Sequence, residues 1–178
     1  MIIGHLPAGY LVAKAFAGRL VAGGRNTAIF VCAALLGSIF PDIDWLYFFW
    51  IDHQHHHHHT YWTHYPIVWA ALTLGCAAWM RLRKDSALAP LGFIFALNGF
   101  VHLLLDTFTG PVWWLAPFVD EPFSLFIVGR TYELWWLNFV LNWSFLLETA
   151  LLAAAVIVYV RDRQRRHRVL GRLMIPPS

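Results

Sequence analysis

Apolar stretches separated by short polar or proline-bearing intervals run the length of this chain. The first covers about residues 5–22 and carries Lys14 and Arg19 inside it. Gly23, Gly24 and Arg25 end it. The second runs from Asn26 to Phe40, is interrupted by Pro41 and continues weakly through Trp50. The third spans Thr63 to Met80, the fourth Leu88 to about Phe108, and the fifth about Leu134 to Val160. A helix needs about 20 apolar residues to cross the hydrocarbon of a bilayer. The third, fourth and fifth stretches meet that length. The second meets it only if the part beyond Pro41 is counted. The first suits the interface, with Lys14 and Arg19 reaching toward headgroups. The pattern predicts an all-α fold: a polytopic membrane bundle of about five helices, one domain over residues 1–160, then a basic cytoplasmic tail, 161–178.

Composition strengthens that reading. Charged residues make up 13% of the 178 positions, where soluble domains carry roughly 25%. Apolar residues make up 59%, which excludes an ordinary soluble domain. No secretory cleavage pattern is visible, because the first apolar stretch leads straight into more apolar sequence. Cys32 and Cys76 sit inside apolar runs and read as buried thiols rather than a disulfide framework. No P-loop, GxSxG, GxGxxG or CxxC element occurs. The basic tail suits anionic lipid better than nucleic acid, and no nucleic-acid partner is expected.

Basic residues set an orientation, since loops rich in Lys and Arg stay cytoplasmic. Arg25, the group Arg81, Arg83 and Lys84, and the run from Arg161 to Arg172 fall on one side if five segments alternate. The N-terminus is then outside and the C-terminus inside. Asp42, Asp44, Asp52, Asp106, Asp120, Glu121 and Glu133 fall on the outer side, joined there by the basic Arg130. That assignment uses no metal-binding residue type. It nevertheless gathers His5, Asp42, Asp44, the histidine-rich stretch 53–64, His102 and Asp106 at the outer ends of helices. In a bacterial inner membrane this is the periplasmic face.

Ionisable groups near hydrocarbon need a partner. His102 and Asp106 are four apart in one apolar stretch, so they share a helix face and can reach one ion. A plain polar pair is the simpler alternative. Pro41, Asp42, Ile43 and Asp44 read as a helix start with acids in its first turn, or as a carboxylate pair for cations. Residues 53–59 include six histidines broken by Gln54. Several of them suit a loop that binds metal adventitiously; His59 and His64 are the expected ligands. Thr63 is expected to cap the third helix, with Pro66 in its first turn. Glu148 is expected midway along the fifth segment, perpetually in need of a partner such as Lys14.

The order of these motifs resembles the YdjM-like family. It is carried by His5, then Gly37-Ser38-Ile39-Phe40-Pro41-Asp42-Ile43-Asp44, then His59 with Thr63 and His64, then His102 with Asp106, Thr107 and Gly110. The resemblance covers about residues 1–120. It implies an inner-membrane metal-dependent hydrolase, similar to the zinc-dependent phospholipase C superfamily. By that resemblance His102 is a terminal ligand and Asp106 a bridging one. His64 with Asp42 or Asp44 completes one metal, and His5 joins the second. Two differences stand out: Thr60 follows His59 where the family has Arg, and no later His-x-x-x-acid motif exists for a third ion. Two zinc ions are therefore expected.

The resulting expectation is a hydrolase cleaving a phosphoester of a lipid or lipid-linked substrate. Its metal ligands are His5, Asp42, Asp44, His59, His64, His102 and Asp106, with Asp42 or Asp44 as general base. The aromatic stretch 109–132 is expected to hold the acyl or prenyl part, and Lys14 or Arg130 to add charge for phosphate. A metal transporter or sensor without hydrolysis is the rival from another class, favoured by Glu148 and the flexible histidine run; a polar path across the bilayer would be needed, of which Asn98 and Glu148 are the visible members.

Overall fold

The architecture comes from a computed structural model, which describes residues 1, 3–21, 27–129 and 131–173, without the side chains of 135 and 169–173. Gly23, Gly24, Arg25 and Arg130, which entered the reading above, lie outside the described residues, as do 174–178. The described chain is helical: α1 (His5–Leu20), α2 (Thr27–Ile39), α3 (Asp44–Trp50), α4 (Pro66–Leu82), α5 (Ala89–Asp106), α6 (Trp135–Val140) and α7 (Ser144–Leu173). Short 3-10 turns at Pro41–Ile43, His58–Thr60 and Trp62–His64 join α2 to α3 and α3 to α4. The expected all-α fold is present. Among the described residues the β pairing is confined to a single bridge, Val112 with Phe123, in the stretch after α5.

By length and composition, Ala89–Asp106 and Ser144–Arg168 are long and apolar enough to cross a membrane. Thr27–Ile39 and Pro41–Trp50 together form a third candidate, bent by 55°. The bend follows from Pro41, whose ring forbids the continuing helical hydrogen bond. The third apolar stretch forms a helix of 17 residues, Pro66–Leu82, shorter than expected. Its start is set by Pro66 at the first helical position.

α5 is the hub. It packs against α2, α4 and α1, while α7 packs on α1. Ala13, Ala17, Phe30, Ala34 and Ile94 fill the centre. Small residues allow the close approach that membrane helices use. A Cβ on Gly37 would lie 2.1 Å from the Phe95 carbonyl oxygen of α5, and a Cβ on Gly99 would lie 2.0 Å from the Trp69 ring of α4. Both are impossible distances, so α2 and α4 seat on α5 only because these positions lack side chains. The Trp69 indole N–H donates to the Thr63 carbonyl at 2.7 Å, which ties α4 to the turn preceding it.

Four expectations need correction. Thr63 does not cap α4: Tyr65 is the residue before the helix, and the Thr63 hydroxyl donates instead to Asp44 at 2.7 Å. The fifth stretch is not one helix, since it breaks between Val140 and Ser144, where the Asn142 side chain accepts from the Ser144 N–H at 3.0 Å. Beyond the break α7 continues through the basic residues to Leu173, because Arg and Gln are good helix formers. Finally, Cys32 is exposed and Cys76 only half-buried in the chain; both thiols are free, and the Cys76 sulfur lies over Gly92 of α5.

The break also relocates Glu148. It lies in the second turn of α7, not midway along a long helix. Its Oε2 accepts from the Ile3 N–H at 2.6 Å and the Gly4 N–H at 3.0 Å, so it answers amides at the start of α1 that no helical carbonyl can reach. Lys14 pairs instead with Asp162 of α7. Contacts from residues 3–4 to 148 and from 14 to 162 mean that α1 and α7 run parallel.

Candidate metal centre

The start of α1, the end of α2, the turns before α4 and the end of α5 meet at one end of the bundle. There His5 is 6% exposed, His59 6%, His64 0%, His102 1% and Asp106 2%. Burying that many imidazoles around a carboxylate needs a compensating partner.

Asp106 is the common member. Its Oδ1 lies 3.2 Å from His5 Nε2. Its Oδ2 lies 2.9 Å from His102 Nε2, 3.8 Å from His59 Nε2 and 3.9 Å from His64 Nε2. Asp42 Oδ1 lies 3.5 Å from His102 Nε2 and 3.7 Å from His64 Nε2. Zinc–ligand bonds of about 2.0–2.1 Å at tetrahedral angles place neighbouring donor atoms about 3.3 Å apart. The measured separations straddle that value. The Met1 amino group also donates to Asp106 Oδ1, at 2.6 Å.

The second nitrogen of three rings is committed elsewhere. His59 Nδ1 pairs with the Pro111 carbonyl at 2.6 Å, His102 Nδ1 with the Ser38 carbonyl at 2.8 Å, and His64 Nδ1 with Asp44 Oδ2 at 2.5 Å. Donating to an oxygen fixes the tautomer and leaves Nε2 as a bare acceptor aimed at the centre. His64 Nε2, His102 Nε2 and Asp106 Oδ2 are all buried, and none makes a hydrogen bond. An unmatched buried polar atom costs roughly 1–3 kcal/mol, and three converging on one point could hold a cation. They also form one of the groups whose donor atoms lie within 4.8 Å of one another. The other two such groups are His5, Asp42 and His102, and His58, His59 and His64.

The sequence-derived residues thus divide. His5, Asp42, His59, His64, His102 and Asp106 converge. Asp42 keeps company with His5 and His102 as well as His64. Asp44 stands one layer back: its Oδ2 accepts from His64 and from Thr63, so it orients a ligand rather than facing the centre. Asp42, with its side chain 35% exposed, is the open carboxylate. Lys14 is remote from the cluster, at the Asp162 contact.

Sequence reasoning missed His58. It is half-buried, and burial together with the nearby His64 and His57 pushes its pKa down to about 3. Burial likewise holds His59 well below the ordinary imidazole range, against the pull of Asp106. Both rings are therefore neutral near pH 7, the form that binds metal. The carbonyls of Ser38 and Pro111 were also missed. No side-chain signal marks a backbone oxygen; only the fold brings it to a ring.

The YdjM inner membrane protein family matches residues 1–168, well beyond the stretch carrying the motifs. The chain belongs to that family. No curated protein and no solved structure matches it.

Proposed function

We propose that this YdjM-family protein is a membrane-embedded, metal-dependent hydrolase that cleaves a phosphoester of a lipid or lipid-linked substrate. The observation that carries the reading is the convergence of bare, buried His64 Nε2, His102 Nε2 and Asp106 Oδ2 on one point. Mixed imidazole and carboxylate donors suit zinc, and the donors exceed the four that one closed structural site uses. Two ions sharing Asp106 fit the set. His5, His102 and Asp42 would hold one, and His59 and His64 the other.

When bound, divalent cations lower the pKa of water and neutralise charge on phosphoryl oxygens. The protein's own groups do the rest. Asp42, the most exposed acid of the cluster, is placed to take a proton from an attacking water. Asp44 keeps His64 in the tautomer that leaves Nε2 free.

A lipid substrate is supported by an apolar groove of about 630 Å³ between α1, α2 and α7. Leu6, Leu35, Ile39, Leu152 and Val156 line it, and His5 and Asp42 are part of its wall. The cavity of about 720 Å³ beneath the aromatic stretch after α5 has none of the ligands in its wall, so the acyl part belongs in the groove and not there. The position of Asp42 and the ligands at the Lys- and Arg-poor end of the bundle supports a centre on the periplasmic side. The polar path a transporter would need is short of members, since Glu148 is tied to the α1 amides and Asn98 donates to the Ile94 carbonyl of its own helix at 2.8 Å.

The test is to purify the protein with its metal, count the ions, and follow release of phosphate or headgroup from a panel of lipid phosphoesters. Wild type is expected to turn over, and His102→Ala and Asp106→Asn to lose both activity and metal. Tightly held metal with no turnover on any lipid of the panel would overturn the reading.

A further inference from the structure

The buried imidazoles do not stand alone; they continue outward as a ladder. His5 stacks on His102 with ring centroids 3.7 Å apart and planes at 13°. His102 lies 5.5 Å from His64, and His64 stacks on His59 at 4.6 Å. His58 follows, 4.2 Å from His59 and 5.5 Å from His64. His57 then stacks on His58 at 5.0 Å and 16°. Exposure falls steadily along this line: His57 is exposed, His58 half-buried, His59 and His64 buried.

We propose that His57 and His58 form a metal-entry station: a zinc-type divalent cation first held by His58, His59 and His64 passes on to the position between His5, His102 and Asp42, after which a second ion stays on His59 and His64. His58, His59 and His64 offer donor atoms within 4.8 Å of one another, and the His64 Nε2 is buried without a hydrogen-bond partner. His64 therefore belongs to both the capture group and the group with His102 and Asp106. A shared ligand lets an ion move inward by exchange: one metal–nitrogen bond forms as another breaks, with no change in charge and no proton released from neutral rings. His58 is held over the turn by Trp45, at 4.7 Å between ring centroids, so its position is built and not incidental. The outer ring, His57, raises the local concentration of ion at the mouth.

This goes beyond hydrolysis and rests only on the cluster binding metal. The experiment follows Co²⁺ uptake by metal-stripped protein in detergent, at micromolar metal, through the visible absorbance of the bound ion. The paired variant His57→Ala/His58→Ala is expected to slow uptake roughly tenfold or more, the loss of a local capture step. It should leave the content of slowly dissociating metal unchanged. His58→Phe, which keeps the ring on Trp45 but removes its nitrogens, is expected to slow uptake as well. His53→Ala/His55→Ala, outside the ladder, should not. Wild-type uptake rates in the paired variant, or equal slowing in the His53/His55 control, would overturn the proposal. Loss of turnover with normal uptake would bear on the hydrolase reading alone.

Discussion

The candidate ligands come from two kinds of structure, and the two are held differently. His5, His102 and Asp106 sit on helices α1 and α5, whose spacing is fixed by the helix itself and by bare glycine contacts to neighbouring helices. Asp42, His59 and His64 sit on 3-10 turns, which fix little on their own. Turn-borne His64 and His59 are steered by oxygen atoms from other segments, Asp44 and the Pro111 carbonyl. A helix fixes the spacing of its residues, although the His102 ring also leans on the Ser38 carbonyl of α2; a turn borrows both spacing and orientation. Damage to the borrowed oxygens should therefore loosen one half of the centre and spare the other.

The largest effect is expected where the halves meet. Asp106→Asn keeps shape but removes the charge shared by four rings. Metal content should fall below one ion per chain, and turnover should fall by more than the roughly 10–100-fold typical of a supporting residue. Retention of two ions by this variant, measured by elemental analysis, would contradict a shared carboxylate. Asp44→Asn comes next. It should weaken binding at the His59–His64 side by roughly 10–100-fold, while the His5–His102 side stays filled in a titration with competing chelator. Equal weakening of both sides would erase the distinction drawn above.

Acid should act on the turns in the same direction. His58 and His59 have folded-state pKa values below the ordinary 6.5, His58 at about 3. Above pH 6.5 both folded and unfolded rings are neutral and contribute nothing to the balance. As pH falls below 6.5 the unfolded rings take up protons and the folded ones do not, so stability is lost progressively toward about 3. In metal-free protein, hydrogen-exchange protection of residues 57–65 should decline over that window relative to the middle of α5. Protection that rises on acidification would contradict it. The smallest effect belongs to Thr63→Val, which removes one hydrogen bond to Asp44 and should cost about 1 kcal/mol, read as a few-fold weaker affinity at the turn side only.

The same division decides what the sequence discloses. His102 and Asp106 were legible because four residues along a helix face one way. The helices themselves were legible from apolar runs, and Pro41 marked the bend between α2 and α3. The orienting role of Asp44 was not legible, because Asp42 and Asp44 look alike until a 3-10 turn sends one toward the centre and the other behind His64. His58 could not be told from its neighbours in a run of identical rings; only the packing on Trp45 separates them. The gap in the fifth stretch was hidden because Leu141, Asn142 and Trp143 barely dent its hydropathy, and with it the place of Glu148 was hidden too.

Glu148 gives the last long helix influence over a pocket to which it contributes no ligand. By holding the backbone of Ile3 and Gly4, it anchors the hinge from which His5 extends. A chain shortened after the aromatic stretch would keep every candidate ligand yet leave the Ile3 and Gly4 amides without the carboxylate that answers them. The last long helix thus braces the entry to the first one, through a carboxylate at its start and an ion pair further along.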